Sequence, residues 1–243
     1  MFTATDYDKL QQIMAESPEK YELLTRLLDS QKITISSISH EIRNPLTLVY
    51  STLQMIQAQH PEVLSFNHWD SLLEDIEYMK SLLEELSSYN NSERLNLSVI
   101  DTVSYLRTLA LSFASSVMNT EIEFISQIDP DLPSISVDSL KFREVILNLL
   151  SNAKDAVASV FEPKIYFHAH IKNKHLEITI ADNGCGISPE QLSHIFEPFI
   201  TYKANGTGLG LAIASRIIHA HSGHLTVDST LGKGTSFILT LPI

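Results

Sequence analysis

A regular apolar repeat runs through residues 21–56, "YELLTRLLDSQKITISSISHEIRNPLTLVYSTLQMI". The seven-residue series is Tyr21, Leu28, Ile35, Ile42, Val49 and Ile56, and Leu24, Ile38, Leu46 and Leu53 fill the seam between them. Such a repeat over several heptads predicts one long amphipathic helix. Ser17 and Pro18 match an N-cap and a first helical position, and Pro61 is expected to end the helix.

A second apolar repeat follows at spacings of three and four. Its members are Trp69, Leu72, Ile76, Met79, Leu83 and Leu86. Two helices joined by a short loop predict an antiparallel helical hairpin. A lone hairpin leaves apolar surface exposed, so we expect two copies to form a homodimer with a four-helix bundle. Packing of the hairpin on its own C-terminal domain is the alternative.

From about Glu93 the pattern changes to mixed helices and strands. Helices are expected at 101–117, at 138–160 with Asp138 as the cap, and after "GTGLGL" (206–211). Strands are expected at 121–128, 135–138, 164–171 and 175–182, with a closing hairpin at 223–230 and 234–243. The fold class is therefore α+β, with a mixed sheet and helices on one face. The expected domains are an N-terminal lead (1–17), the hairpin (18–92) and the mixed domain (93–243).

Composition limits the function classes. The chain has 243 residues and a net charge of −12, which disfavours nucleic acid as a partner because no phosphate-neutralising patch is evident. It shows no signal-peptide pattern and no apolar run long enough for a membrane segment. The single cysteine, Cys185, excludes an intrachain disulfide and suits a reducing compartment. We expect a cytoplasmic protein, and attachment to a membrane sensor outside these residues stays open.

The first chemical cluster is "SHEIRNPL", residues 39–46. His40 and Asn44 lie one helical turn apart, and Glu41 is adjacent to His40. An imidazole is a nucleophile when one ring nitrogen is free, and a carboxylate can hold the proton of the other. Pro45 cannot donate to the carbonyl of Glu41, so we expect the helix to bend just past the histidine. An ordinary surface histidine in a kinked helix fits these residues as well. When these residues are considered without the other clusters, this alternative is favoured.

The second cluster is "NLLSNAKDAV", residues 148–157. Asn148, Asn152 and Asp155 share one stripe of an amphipathic helix. Their oxygens suit magnesium, although a polar solvent face explains the stripe equally well.

The third cluster is "ADNGCGIS", residues 181–188. Asp182 ends an apolar strand, and a buried carboxylate there can accept a hydrogen bond from the 6-amino group of adenine. Gly184 and Gly186 permit close backbone approach to a ligand. A simple Asp-Asn-Gly turn is the alternative.

The fourth cluster, "NGTGLGLAI" (205–213), places Gly206, Gly208 and Gly210 directly before a helix, where free N–H groups favour phosphate. The preceding segment 195–204, "IFEPFITYKA", reads as a lid whose Lys203 can reach a terminal phosphate. A zinc site at His219, His221 and His224 is disfavoured, because no cysteine or carboxylate set accompanies them.

In this order and at these separations, the four clusters resemble the boxes of the sensor histidine kinases of two-component systems. "SHEIRNPL" resembles the H box, "NLLSNAKDA" the N box, "DNGCGI" the G1 box, "FEPF" the F box and "GTGLGL" the G2 box. The likeness covers the chain from about residue 18 to the end. It implies a dimerisation and histidine phosphotransfer hairpin, followed by an ATP-binding two-layer α/β sandwich of the GHKL (Bergerat) type. Thr34 and the pair Asp155-Ala156 depart from residues that many members carry.

The resemblance also implies residue roles. His40 would be the phosphoacceptor, Glu41 would activate it, and Asn44 would orient water during dephosphorylation of a partner. ATP and Mg²⁺ would be the cofactors, with the metal on Asn152. The implied nucleotide-binding residues are Asn148, Asn152, Asp155, Asp182, Gly184, Gly186, Ile187, Phe199, Lys203, Gly206, Thr207, Gly208, Leu209, Gly210 and Leu211.

The implied function is autophosphorylation on His40 and transfer to an aspartate on the receiver domain of a response regulator, with phosphatase activity toward that regulator as a possible addition. A non-turnover ATP-binding scaffold or a phosphatase-dominant protein is the alternative. Serine phosphorylation, as in anti-sigma-factor kinases of the same superfamily, is disfavoured by the hairpin. The input signal, the cognate regulator and transfer within or between subunits stay open.

Overall fold

The computed structural model describes residues 18–203 and 206–243. The expected lead 1–17, with the cap at Ser17, lies outside the described residues. The chain divides between Asn90 and Asn91 into two compact units, two residues before the border expected from the sequence. None of the helices in the described part is long and apolar enough to cross a membrane.

The first unit is a helical hairpin. Helix α1 spans Pro18–Gln59, a 3₁₀ turn spans Pro61–Ser65, and helix α2 spans Trp69–Asn91. Helix α1 ends before Pro61, as expected. Pro45 lies inside α1 without ending it, although it removes one backbone donor.

Three contacts between the two helices fix their antiparallel direction. Arg43 Nη2 donates to the carbonyl of Leu83 at 3.1 Å, and Tyr50 Oη donates to Glu77 at 2.6 Å. Trp69 Nε1 donates to the side chain of Gln57 at 3.3 Å. As the residue number rises on α1, it falls on α2, so the hairpin is antiparallel.

The apolar core of the hairpin is small. Leu46, Ile76 and Leu83 are buried, with Tyr50 and Leu53 packed against them. Six members of the predicted seam are exposed to solvent: Ile35, Ile38, Ile42, Val49, Leu72 and Met79. The side chains at 21, 24 and 28 lie outside what the structure describes. The hairpin therefore presents an uncovered apolar stripe.

The second unit is an α+β layer pair, which confirms the expected fold class. Its helices are α3 (Thr102–Val117), α4 (Ser139–Ala156), the short α5 (Pro189–Leu192) and α6 (Gly210–Ala220). Its strands are β1 (Ser98–Ile100), β2 (Glu123–Ile128), β3 (Ile135–Val137), β4 (Lys164–Lys172), β5 (His175–Asp182), β6 (His224–Thr230) and β7 (Gly234–Pro242).

The main sheet has five strands in the order β2-β4-β5-β7-β6. Strand β2 pairs parallel with β4, and the other neighbours are antiparallel. Alternate side chains of the central strands are buried under α3, α4 and α6, for example Ile165 and Phe167 on β4 and Ile178 and Ile180 on β5. Strand β1, which the sequence did not predict, pairs with β3. Helix α4 ends at Ala156, four residues earlier than expected.

Asp138 caps α4, as predicted, and also anchors its surroundings. Its Oδ1 accepts from the backbone N–H of Lys141 at 3.1 Å, and its Oδ2 accepts from that of Asn96 at 2.8 Å. Burial raises the pKa of the Asp138 carboxyl, but these donors together outweigh burial and leave the pKa below its ordinary value. The cap therefore also holds the segment that leads into β1.

His221 completes this anchor and is a structural histidine. Its Nε2 accepts from the backbone N–H of Asp138 at 2.9 Å, and its Nδ1 lies 2.7 Å from the carbonyl of Ile217. An accepting Nε2 places the ring proton on Nδ1, which donates to that carbonyl. Within the described residues, no group of three or more His, Cys, Asp or Glu side chains is placed to hold a metal ion.

Two cations fasten the segment that leads from α2 into the second unit. Lys141 Nζ donates to the carbonyls of Asn91, Ser92 and Arg94, and burial lowers its pKa. The guanidinium of Arg216 on α6 pairs with Glu93 at 2.5 Å. This segment is therefore bound to both α4 and α6.

We expect Asp138→Ala to lower the free energy of unfolding of the second unit by roughly 2 kcal/mol, because it removes a helix cap and a second hydrogen bond at a buried carboxylate. Urea unfolding followed by circular dichroism measures the loss. Asp101→Ala is the control, since Asp101 is exposed and caps α3 by accepting from Ser104, and within the described residues no hydrogen bond from another residue reaches its carboxylate. Equal losses in the two variants would contradict the anchoring role.

Candidate functional site

The first group of candidate residues lies on α1. His40, Glu41 and Asn44 are all exposed, within about one helical turn. Arg43, which the sequence did not single out, is half-buried, and its Nη1 lies 3.4 Å from His40 Nδ1. The imidazole is therefore open to solvent and is contacted on one side by a cation.

The second group lies in the mixed unit and is built on helix α4. Asn148 and Asn152 are half-buried and Asp155 is exposed, along the predicted stripe. Val145 and Leu149, on the face of α4 next to the stripe, are buried in the core. Core packing beside the stripe therefore fixes the position of α4.

Asp182 lies at the end of β5 with only 9% of its surface exposed. Its Oδ1 accepts from the backbone N–H groups of Gly184 at 2.8 Å and Thr235 at 3.3 Å. Burial raises the pKa of Asp182, and the two amide donors oppose that rise without cancelling it. In the part of the chain that the structure describes, no hydrogen bond reaches Oδ2, so this oxygen can accept from a ligand.

The loop after Asp182 rests against the end of α4. The backbone N–H of Cys185 donates to the carbonyl of Ala156 at 3.1 Å. A Cβ at Gly184 would lie 2.6 Å from that carbonyl oxygen, so no side chain fits there. Gly186 has a φ of +68°, and Ile187 donates its N–H to Ser229 at 2.9 Å. The loop is therefore fixed at both of its ends.

The start of α6 packs directly on Asn148. A Cβ at Gly210 would lie 2.6 Å from the side-chain nitrogen of Asn148, so a larger residue there would have to displace that side chain. Leu209 is buried and Leu211 is half-buried, so α6 is held down on both sides of Gly210. The first turn of α6, with its free N–H groups and positive dipole end, is thereby brought to the asparagine stripe.

The segment before α6 holds two unusual backbone positions. Phe199 has a φ of +66°, which is rare for an aromatic residue, and its N–H donates to the carbonyl of Gly208 at 2.9 Å. Gly208 has a φ of +71°, and a Cβ there would lie 2.6 Å from the Phe199 carbonyl carbon. Gly206 and Thr207 lie between this contact and Lys203, and Leu209 N donates to Thr207 Oγ1 at 3.2 Å.

Lys203 joins the lid segment to the stripe on α4. Its Nζ lies 2.7 Å from Asn152 Oδ1 and 2.6 Å from Asp155 Oδ2. An amide oxygen beside a carboxylate is a set of hard oxygen donors, which is the set that Mg²⁺ prefers. Asn152 and Asp155 already bind one cation, the ammonium of Lys203, so the donors present fit a magnesium ion.

The structure thus brings most of the predicted nucleotide residues into two connected clusters. Asp182, Gly184, Gly186 and Ile187 form one cluster beside the end of α4. Asn148, Asn152, Asp155, Lys203 and the glycine loop form the other. Thr235 is a donor to Asp182 that the sequence reading missed, because no motif marks a residue on a distant strand.

Two protein-family models match the chain. The His Kinase A (phospho-acceptor) domain matches residues 22–94. The histidine kinase-, DNA gyrase B-, and HSP90-like ATPase matches residues 137–243. Each falls on the unit for which the sequence predicted it.

Curated relatives match nearly the whole chain. The signal transduction histidine-protein kinase AtoS of Escherichia coli is 28% identical over 95% of this chain and 39% of its own length. Sporulation kinase C of Bacillus subtilis is 29% identical over 99% of this chain and 56% of its own length. The chain therefore spans about half or less of the length of these relatives.

Solved structures share the fold. The crystal structure of full-length ShkA in complex with AMPPNP matches 86% of this chain and 45% of its own, at 26% identity and a TM-score of 0.72. The nucleotide-free catalytic domain of the histidine kinase ThkA matches 60% of this chain and 95% of its own, at 26% identity and a TM-score of 0.55.

Proposed function

We infer, because the chain belongs to the sensor histidine kinases, that it transfers the γ-phosphoryl group of ATP to His40 and from there to an aspartate on a response regulator. The single observation that carries this proposal is Asp182, a buried carboxylate with one oxygen left to accept, beside a loop in which only glycine fits. That arrangement costs stability and is suited to reading a ligand amino group.

Asp182 Oδ2 accepts from the 6-amino group of adenine, which distinguishes adenine from guanine. Gly184, Gly186 and Ile187 lie beside the base, since their loop starts at Asp182. The phosphates bind at the first turn of α6 and the loop before it, through Gly206, Thr207, Gly208, Leu209, Gly210 and Leu211. Phe199 donates its backbone N–H to the carbonyl of Gly208 and thereby holds this loop in place.

Asn152 would be the protein ligand for Mg²⁺, with Asn148 and Asp155 on the same stripe. There Mg²⁺ would neutralise charge on the phosphates. Lys203 would leave Asn152 and Asp155, because an ammonium and a divalent cation repel each other at shared oxygens. Its ammonium would then be available to pair with the terminal phosphate.

In the transfer step, a ring nitrogen of His40 attacks the γ-phosphorus. The bond from that phosphorus to the β–γ bridging oxygen breaks, and ADP leaves with the electron pair. Glu41 holds the proton of the other ring nitrogen as the ring gains positive charge. Catalysis is then positioning and charge neutralisation, as in other phosphoryl transfers. The product is a phosphoramidate, from which a regulator aspartate takes the phosphoryl group.

The position of Asn44 supports a second activity, dephosphorylation of the regulator. Asn44 is exposed one turn after His40, where its amide can orient a water toward the acyl phosphate of a bound regulator. The protein would then also act as a phosphatase of its regulator.

We expect wild-type protein incubated with γ-labelled Mg·ATP to gain label that acid removes and base preserves. His40→Gln should gain none, because it lacks the nucleophile. His60→Gln is the matched control, as His60 is exposed in the same hairpin and should keep full labelling. Acid-stable label, or label that persists in His40→Gln, refutes the proposal.

We expect Asp182→Asn to weaken ATP binding by about 10- to 100-fold, the value of a hydrogen bond to a charged group. Asn keeps an Oδ1 acceptor for Gly184 and Thr235, but it places an NH₂ opposite the adenine amino group. Titration with a fluorescent ATP analogue measures the loss. Asp228→Asn, on the exposed edge strand β6, is the control and should bind normally.

The stability of Asp182→Asn relative to wild type should also depend on pH. The pKa of Asp182 is raised in the folded state, so its ionised form destabilises the fold at neutral pH. Asp182→Asn should therefore unfold at no less urea than wild type at pH 7. Its advantage should shrink as pH falls through the raised pKa, because wild-type Asp182 then becomes neutral. A large loss of stability in Asp182→Asn would contradict this account.

We propose that two copies pair through the apolar stripe of the hairpin. Val49 is 48% exposed within the seam, and Leu48 is 70% exposed about a quarter-turn away, outside it. In sedimentation velocity at micromolar concentration, wild type and Leu48→Glu should run as dimers. Val49→Glu should shift toward monomer, since it buries a charge in the interface. A monomeric wild type would refute the pairing.

A further inference from the structure

Arg43 connects the two helices of the hairpin to the imidazole of His40. Its Nη2 donates to the backbone carbonyl of Leu83 on α2 at 3.1 Å, while its Nη1 lies 3.4 Å from His40 Nδ1. Its Nε is buried and has no hydrogen-bond partner within the described residues. A half-buried guanidinium held across the hairpin is thus pinned beside an exposed histidine.

The chemistry of the guanidinium fixes the direction of the contact with His40. Arginine carries five N–H donors and no acceptor, and it stays protonated. The contact therefore needs a lone pair on His40 Nδ1. In the neutral ring the proton then lies on Nε2. A proton on Nδ1 would instead face both an N–H group and a positive charge.

We propose that Arg43 is a positioning residue that restrains His40, by holding the imidazole in the tautomer with its proton on Nε2. This inference rests on the proposed function of His40. In that tautomer Nδ1 has its lone pair engaged by Arg43, and Nε2 has none to offer. Neither nitrogen is then a ready nucleophile toward phosphorus.

Arg43 and Glu41 therefore compete for the same ring nitrogen. Arg43 requires a bare Nδ1, whereas a carboxylate requires Nδ1–H to accept from. When Arg43 withdraws, the ring loses its proton from Nε2 to water and gains one on Nδ1, which donates to Glu41. The lone pair is then on Nε2 and faces solvent. The transfer of one proton between ring nitrogens, with no net change in charge, turns the nucleophile on.

The anchor on Leu83 gives this switch a mechanical input. Because Nη2 is bonded to the backbone of α2, the guanidinium follows α2 while the imidazole follows α1. A small slide or rotation between the two helices lengthens the contact at Nδ1, which at 3.4 Å is already near the limit of a hydrogen bond. Movement within the hairpin is thereby converted into a change of tautomer.

Nitrogen-15 NMR of the histidine side chains reads the tautomer directly, without nucleotide, at about pH 8 where a histidine is neutral. The His40→Gln spectrum assigns the His40 signals by their loss. We expect wild-type His40 to carry its proton on Nε2. Arg43→Met, which keeps the length of the side chain without donors, should raise the Nδ1–H population. Arg43→Lys keeps one charge but cannot reach both partners, so it should fall between the two.

Autophosphorylation supplies the second readout. Arg43→Met should label about three- to tenfold faster than wild type, the effect of releasing one hydrogen bond, at an unchanged KM for ATP. Arg26→Met is the matched control, because Arg26 is an exposed arginine of α1 paired with Glu22. It should change neither the tautomer nor the rate.

Three outcomes would overturn the inference: a wild-type His40 protonated on Nδ1, an Arg43→Met spectrum identical to wild type, or slower labelling in a folded Arg43→Met. The tautomer measurement also separates this inference from the proposed function. If Arg43→Met shifts the tautomer while wild type takes up no label from ATP, the control of the ring stands and the kinase proposal fails.

Discussion

The proposed nucleotide site depends on the close approach of backbone to helix α4 at two glycines. Gly210 lies against Asn148, and Gly184 lies against the carbonyl of Ala156. A Cβ at either position would stand 2.6 Å from its neighbour, which is backbone at Gly184 and the Asn148 side chain at Gly210. These two contacts bring the first turn of α6 and the loop after Asp182 to one helix.

The same unit holds two buried carboxylates whose pKa values are shifted in opposite directions. Asp138 has a lowered pKa because its two oxygens each accept from a backbone amide, and it stabilises the fold. Asp182 has a raised pKa because burial outweighs the two backbone amides, which both donate to one of its oxygens. Within the described residues no hydrogen bond reaches its other oxygen. That is the pattern expected where a binding function, and not stability, has selected the residue.

Patterns that depend on nearby residues could be predicted, and contacts across the chain could not. The heptad repeat predicted α1, and Pro61 predicted its end. Asp138 was identified as a cap because capping depends only on nearby residues. Strand β1 was missed because its three residues are mostly exposed and its pairing with β3 lies 37 residues away. The tie from Arg43 to Leu83 spans 40 residues and that from Lys203 to Asp155 spans 48. No periodicity reveals such pairs, so the sequence predicted candidate site residues but not their partners.

The two units differ in how much of their stability comes from their own apolar core. The mixed unit buries whole faces of three helices and of its central strands, so its core is sufficient by itself. Among the described apolar side chains, the hairpin unit buries Leu46, Val63, Ile76 and Leu83, against two helices that together order more than sixty residues. Conformational entropy on that scale exceeds what four buried side chains provide. In the proposed dimer, a second copy would cover the exposed seam and supply the remaining apolar area. The small core between α1 and α2 also leaves these helices loosely fixed to each other. The contact from Arg43 to His40 is therefore well placed to respond to small movements of α1 against α2.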